Sequence, residues 1–233
     1  MIYVLLALLA GLSDLFSGLS VLYFKQVAKV DTRYVIAFAG GAMLAAVFFE
    51  LLPDSSASPN AFMVVGLGFF FFYLMEKMVM IHSCGEKECK AHTVGWISVV
   101  GMSSDNIVDG AGIAAAYFVN PLSGLLVAAA VFVHEVPQGL TTAVLLKRSG
   151  FKKSKIILAL AAEALLYPIG ALLALVIPQS LYPTILAFVA GDFLYIAASD
   201  LLPDAHRKFN YKVVACVLLG LASIGLLEIF FKA

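Results

Sequence analysis

Asp105-Asn106-Ile107-Val108-Asp109-Gly110 and His134-Glu135-Val136-Pro137-Gln138-Gly139 are the two stretches on which the reading of this chain turns. Each interrupts an apolar run long enough to cross a bilayer, 94–118 and 122–146. Each offers metal-ligating side chains at its first, second and fifth positions, followed by Gly. Lipid cannot satisfy open backbone, so such runs are expected to be helices. Ionisable groups in hydrocarbon cost several kcal/mol each and usually line a pathway or bind something there. Three acids and a His in two adjacent spans therefore point to a cation site.

The rest of the chain supplies the setting. Of 233 residues, 62% are hydrophobic and only 13% charged, whereas a soluble domain carries about 25% charged residues. This composition excludes an ordinary soluble domain and implies a polytopic membrane protein occupying 1–233 as one transmembrane domain. A span needs ~20 apolar residues. Eight fit: about 2–24, 34–52, 60–81, 94–118, 122–146, 156–177, 184–202 and 212–231. Nothing basic precedes the run from Ile2, so the first span is expected to be retained rather than cleaved as a signal. The expected class is all-α.

The basic residues sort to one side. Lys25, Lys29 and Arg33 follow span one, Lys87 and Lys90 span three, Lys147 to Lys155 span five, and Arg207, Lys208 and Lys212 span seven. The even-numbered loops carry none. The positive-inside rule makes the odd loops cytoplasmic, so a multi-pass protein of the cell membrane with both termini extracytoplasmic is expected. The expected partners are the lipid bilayer and a divalent ion, with no nucleic acid.

Spans two and seven repeat. Ala37, Phe38, Gly41 and Leu44 match Ala187, Phe188, Gly191 and Leu194, and Glu50-Leu51-Leu52-Pro53-Asp54 matches Asp200-Leu201-Leu202-Pro203-Asp204, at a constant offset of 150. The two spans run in opposite directions, which is the pattern of an inverted-topology repeat in transporters.

On a helix, residues four apart share a face. Asp105 and Asp109 stack, with Asn106 one step round. His134 and Gln138 stack, flanked by Glu135. The short turn near Asn120-Pro121 makes the two helices neighbours, so six ligand groups can converge. Mostly oxygen with one imidazole, the set suits Zn, Mn or Fe(II) and disfavours Cu(I). Carboxylates without Lys or Arg at that depth repel unless a cation joins them. Pro137 interrupts the ladder beside the ligands. Glu163 in span six and Tyr167 one turn on are each candidates to reach the site edge, helix pairing being the alternative role for a single buried Glu. Asp14, Glu50, Asp192 and Asp200 are further acids within spans; Glu50 and Asp200 share the repeat. Two readings compete with transport: an intramembrane metalloenzyme, since His134-Glu135-x-x-Gln138 brushes His-Glu-x-x-His without its second His, and a metal-binding sensor. The 82–92 loop, with His82, Cys84, Cys89 and His92, matches no standard zinc-finger spacing.

Taken together, the eight spans, the paired motifs and the acid-Leu-Leu-Pro endings resemble the ZIP (Zrt/Irt-like) divalent metal transporters over essentially the whole chain. The family's motifs commonly read His-Asn-x-x-Asp/Glu-Gly and His-Asn/Glu-x-Pro-x. Asn106, Asp109 and Gly110 match the first; His134, Glu135 and Pro137 match the second. The resemblance implies a transporter and no enzyme, moving a divalent metal (zinc foremost, with Fe, Mn or Cd as alternatives) into the cytosol. It implies a three-two-three helix arrangement and a homodimer. It also implies two adjoining metal positions: Asp105, Asp109, His134 and Gln138 at one, Asn106, Glu135 and Gln138 at the other. The chain departs from the pattern with Asp105 in place of a His, with Gln138 where a carboxylate or His is commoner, and with Tyr167 where bacterial members carry a Glu before Pro, leaving Glu163 a displaced candidate.

Overall fold

Apolar runs with no competing polar pattern satisfy their backbone locally, and the described chain is helical throughout, with no strand among the described residues. The computed structural model describes residues 1–24, 31–84, 91–206 and 210–232, and side chains within these except at 79–102 and 231–232. The side chains of His82, Cys84, Cys89 and His92 lie outside the described residues, as do Lys25, Lys29, Lys87, Lys90, Arg207 and Lys208.

Helix α1 covers Ile2–Tyr23. Helix α2 starts at Arg33–Ala46 and continues through Leu52–Ser55. Helices α3 (Ala61–Cys84), α4 (Ala91–Val119) and α5 (Pro121–Arg148) follow. Helix α6 is Lys153–Leu173, α7 is Tyr182–Tyr195 continued by Leu202–Ala205, and α8 is Tyr211–Lys232. Among the described residues, seven of these (α1, α2, α3, α5, α6, α7 and α8) are long and apolar enough to cross a membrane. Helix α4, 29 residues long, holds Asp105, Asn106 and Asp109 in its middle. The chain is an all-helical, polytopic membrane protein.

Local chemistry sets the boundaries. Asn120, in extended conformation, caps α5 by accepting from the Leu122 N–H at 3.0 Å, and Pro121 occupies the first turn, where its missing N–H costs nothing. The end of α5 turns on Gly150 at φ 78°, which lets the Phe151 N–H reach the Leu146 carbonyl at 3.1 Å. Just ahead of α2, Arg33 grips Asp31 at 2.6 Å and holds its carboxyl below the usual carboxylate range.

Two helices widen at matching points. A π turn over Val47–Leu51 in α2 is followed by Pro53, and one over Ile196–Leu201 in α7 by Pro203. The Leu52 N–H bonds the Val47 carbonyl, and the Leu202 N–H bonds the Ala197 carbonyl. A proline crowds the carbonyl four residues back, here Phe49 and Ser199, and the wider turn relieves that clash.

The packing has a pattern. Helices α1 and α5 pack together, as do α6 and α4; α2 and α8 pack together, as do α7 and α3; α2 touches α5 as α7 touches α4. Exchanging α1 with α6, α2 with α7, α3 with α8 and α4 with α5 leaves this set of neighbours unchanged. The core between them is built largely of alanines (Ala7, Ala10, Ala46, Ala114, Ala130 and Ala190 are all fully buried), as close helix approach in lipid requires. Large apolar side chains such as Phe62, Phe70 and Leu218 face outward, where acyl chains would lie.

Candidate metal centre

The glycines that close the two polar clusters set how the site is walled. A methyl group on Gly110 would strike the Tyr167 carbonyl of α6, and one on Gly139 would strike the Asp14 carbonyl and the Ser17 hydroxyl of α1. Glycine at these points lets α6 press against α4 and α1 against α5. The side chains one turn before each glycine are thereby sealed among four helices. Asn106, Asp109 and Glu135 are fully buried, His134 and Glu163 nearly so, and Asp105 is 7% exposed.

Four groups converge. One ligating atom each from Asp105, Asp109, His134 and Glu135 lies within 4.8 Å of all the others. The imidazole Nε2 of His134 stands 2.9 Å from Glu135 Oε1 and 3.3 Å from Asp109 Oδ2. Its Nδ1 faces the Ala130 carbonyl at 3.3 Å, a contact in which only a protonated Nδ1 can donate. With Nδ1 holding that hydrogen, neutral imidazole turns the lone pair of Nε2 toward two carboxylate oxygens. Such a contact is repulsive unless a proton or a metal ion stands between. A carbonyl-anchored imidazole is also the usual support of a metal-bound His. Phe193 of α7 packs edge-on against the ring, 5.8 Å between centroids.

The buried oxygens are short of donors. Beyond the His134 ring, the Tyr167 hydroxyl and the neighbouring carboxyls, no donor among the described residues reaches both oxygens of Asp109, both of Glu135 or Oδ1 of Asp105. Lys and Arg ion pairs among the described residues include Arg33 with Asp31 and Lys77 with Glu76, both away from the cluster. Carboxylates packed this way disfavour one another and favour a divalent cation. The donor set, three carboxylates and one imidazole, is one that Zn, Fe(II) and Mn accept.

The remaining predicted residues sit beside this cluster. Asn106 and Gln138 engage each other, the Gln138 amide donating to Asn106 Oδ1 at 3.0 Å, while the Asn106 amide donates to the Glu163 carbonyl at 3.4 Å. Glu163 is not one of the four mutually close groups, and its carboxylate is an electrostatic neighbour of Glu135. Helical periodicity pairs His134 with Gln138, yet His134 and Glu135 are the pair that turns inward. α5 is covered by α1, α2 and α4 and so buries an arc wide enough for both.

Two acids around the site, Asp14 and Asp192, were not assigned to it from the sequence, whereas Tyr167 was expected at its edge. Tyr167 sits beside Glu135. Asp14, fully buried with both oxygens unpartnered, faces the Glu135 and Glu163 side. Asp192 of α7 lies against Asp105. The only signal in the sequence was an acid inside an apolar run; which face each occupied depended on helix pairing. A cavity of about 270 Å³ opens from His134, Gln138 and Thr141 to Ser199, Asp200 and Asp204, between the later turns of α5 and α7.

Similarity to known proteins decides the family. The sequence pattern of the ZIP zinc transporters matches residues 81–228, well over half the chain. This chain belongs to the ZIP zinc transporter family. Zinc transporter ZIP13 of Pongo abelii is 28% identical over 253 aligned positions, covering 96% of this chain and 76% of that protein. The Drosophila melanogaster zinc transporter ZIP13 homolog is 28% identical over 156 positions, 63% of this chain and 44% of its own length. Human zinc transporter ZIP6 is 31% identical over 121 positions, 51% of this chain and 16% of its own length. ZIP membership assigns the chain to metal transport across a membrane and not to catalysis.

Proposed function

We propose that this ZIP protein carries a divalent transition metal, zinc foremost, into the cytosol through a site in α4 and α5 formed by Asp105, Asp109, His134 and Glu135. Asn106, Gln138 and Glu163 border it and serve an adjoining position. The observation that carries this reading is the His134 imidazole, tied at Nδ1 to Ala130 and aiming Nε2 at Asp109 and Glu135, with no Lys or Arg paired to these acids among the described residues. Zinc as first cargo is supported by the relatives' names and by imidazole in the donor set. Fe, Mn and Cd remain alternative cargoes.

The whole chain, 1–233, acts as one transport domain of eight spans. The exchange symmetry of its helix neighbours, with π turns and Leu-Leu-Pro-Asp endings at matching points of α2 and α7, supports an inverted repeat: three helices, a central pair, then three. The basic loops support a cytosolic face after α1, α3, α5 and α7, with both termini outside. The cavity from His134 to Asp204 reaches toward that face and serves as the exit. In the cycle, the ion exchanges water for the four groups from outside, and a rigid shift of the halves opens the route past Asp200. A homodimer in the cell membrane is the expected assembly.

The test is zinc uptake into sealed proteoliposomes. Wild type should show saturable accumulation, and His134→Ala and Asp109→Ala should abolish it while eluting as folded protein from size-exclusion chromatography. Near-normal uptake with unchanged affinity in either variant contradicts the site.

A further inference from the structure

The repeat makes one side chain conspicuous. At the offset of 150, Asp192 of α7 corresponds to Ala42 of α2. Ala42 is fully buried in an apolar cluster with Ala45, Leu126 and Ile224. The same packing position in the other half is thus filled well by a methyl group, so packing does not demand a carboxylate at 192. A carboxylate within a span is costly and is kept where it binds or conducts something.

Asp192 is positioned to bind. It is fully buried, and its carboxyl lies within hydrogen-bonding reach of the Asp105 carboxyl and of no donor side chain besides among the described residues. The next residue, Phe193, lies against the His134 ring. One turn earlier, Val189 meets Gly112 of α4 closely: a methyl group on Gly112 would come within 2.9 Å of Val189 Cγ1. α4 and α7 run antiparallel here, and this contact brings Asp192 to the level of Asp105 and Asp109. Both of those carboxylates are its immediate electrostatic neighbours, Asp105 being the nearer influence. Asp105 Oδ1 is likewise buried. Two carboxyl groups thus meet in the bundle interior at the α4–α7 contact, where only a shared proton or a cation can hold them together.

We propose that Asp192 is a further ligating residue, and that Asp192 and Asp105 form an oxygen-only cation position on the α4–α7 face of the core cluster. This inference rests on the metal-site reading above and extends it to a helix outside the paired motifs. An all-carboxylate position favours harder divalent ions such as Mn²⁺, whereas the His134 side favours Zn²⁺. Asp105 belongs to both, so an ion can pass between them without leaving its ligands. Asp192 therefore tunes which metals the protein accepts.

The test is equilibrium binding of Mn²⁺ alone and of Zn²⁺ alone to the purified full-length protein, with size-exclusion elution as the check on folding. Asp192→Asn keeps the shape and removes the charge. It should weaken Mn²⁺ binding by about tenfold or more, in the range seen when groups supporting a metal site are lost, while Zn²⁺ binding stays close to wild type. Asp192→Glu should restore Mn²⁺ binding. Wild-type Mn²⁺ affinity in Asp192→Asn overturns the inference and leaves the core site standing. Equal loss of both ions also overturns it, since Asp192 would then serve only the fold. A wild-type protein that binds neither ion overturns the core site and this inference together.

Discussion

At the residue scale, function depends on which atoms are left without donors. Gln138 shows how one amide changes the chemistry. Its NH₂ donates to Asn106 Oδ1, so an ion at the adjoining position competes with that hydrogen bond for the Asn106 oxygen. Gln138→Glu removes that donor and adds a negative charge beside His134 and Glu135. Zinc should bind more tightly and leave more slowly, read as a lower half-saturation concentration with reduced maximal uptake in proteoliposomes. Unchanged values for both would show that position 138 lies off the ion's path. Gly139 is the steric counterpart. Gly139→Ala places a methyl group on the Asp14 carbonyl and the Ser17 hydroxyl, and this overpacking should cost about 1–3 kcal/mol, measured as a lowered thermal midpoint in detergent. An unshifted midpoint would mean that α1 does not press on α5 as described. The ligand types were legible at this scale, because Asp105, Asp109, His134 and Glu135 stand out against an apolar background. Asp192 and Asp14 were not assigned, because a lone acid in a span shows no face until its neighbours are known.

At the scale of elements, the prolines divide into two kinds. Pro137 lies inside α5, which continues unbroken from Pro121 to Arg148, and the Thr141 hydroxyl bonds the Pro137 carbonyl at 2.8 Å. From α1, the Ser13 hydroxyl reaches the Phe132 carbonyl at 2.9 Å, so a neighbour steadies the helix where the proline weakens it. Pro53 and Pro203 instead follow widened turns that carry Glu50 and Asp200. Such turns cluster at functional points of helices. Replacing both prolines by Ala should let the turns tighten, raise stability by up to about 3 kcal/mol per site, and lower zinc turnover. Greater stability with full turnover would remove the wide turns from the transport cycle. The helical nature of these segments and the Leu-Leu-Pro-Asp repeat were readable from residues alone. The π turns were not, because Pro137 and Pro168 sit inside regular α-helix, so a proline in a span does not by itself tell where a turn widens.

At the scale of the whole molecule, the neighbour exchange between α1 and α6, α2 and α7, α3 and α8, and α4 and α5 is the symmetry that the proposed alternation of access to one central site requires. Composition made the membrane-spanning, all-helical class legible. The packing that seals the site was not, since it depends on glycine contacts such as Gly110 with Tyr167 and on the burial of residues far apart in the chain. The proposed orientation is open to chemical labelling. Single cysteines at Ala57 and at His206, in a background without native Cys, should react with an impermeant reagent from opposite faces of the membrane; labelling from one face would refute the inverted repeat. The proposed zinc position lies at Asp105, Asp109, His134 and Glu135, and X-ray absorption at the zinc edge of the zinc-loaded protein observes that position directly. It should show one imidazole and several oxygens at about 2.0–2.2 Å, with the imidazole signal lost in His134→Ala. A sulfur shell near about 2.3 Å, or an imidazole that persists in His134→Ala, would place zinc elsewhere and contradict the α4–α5 site.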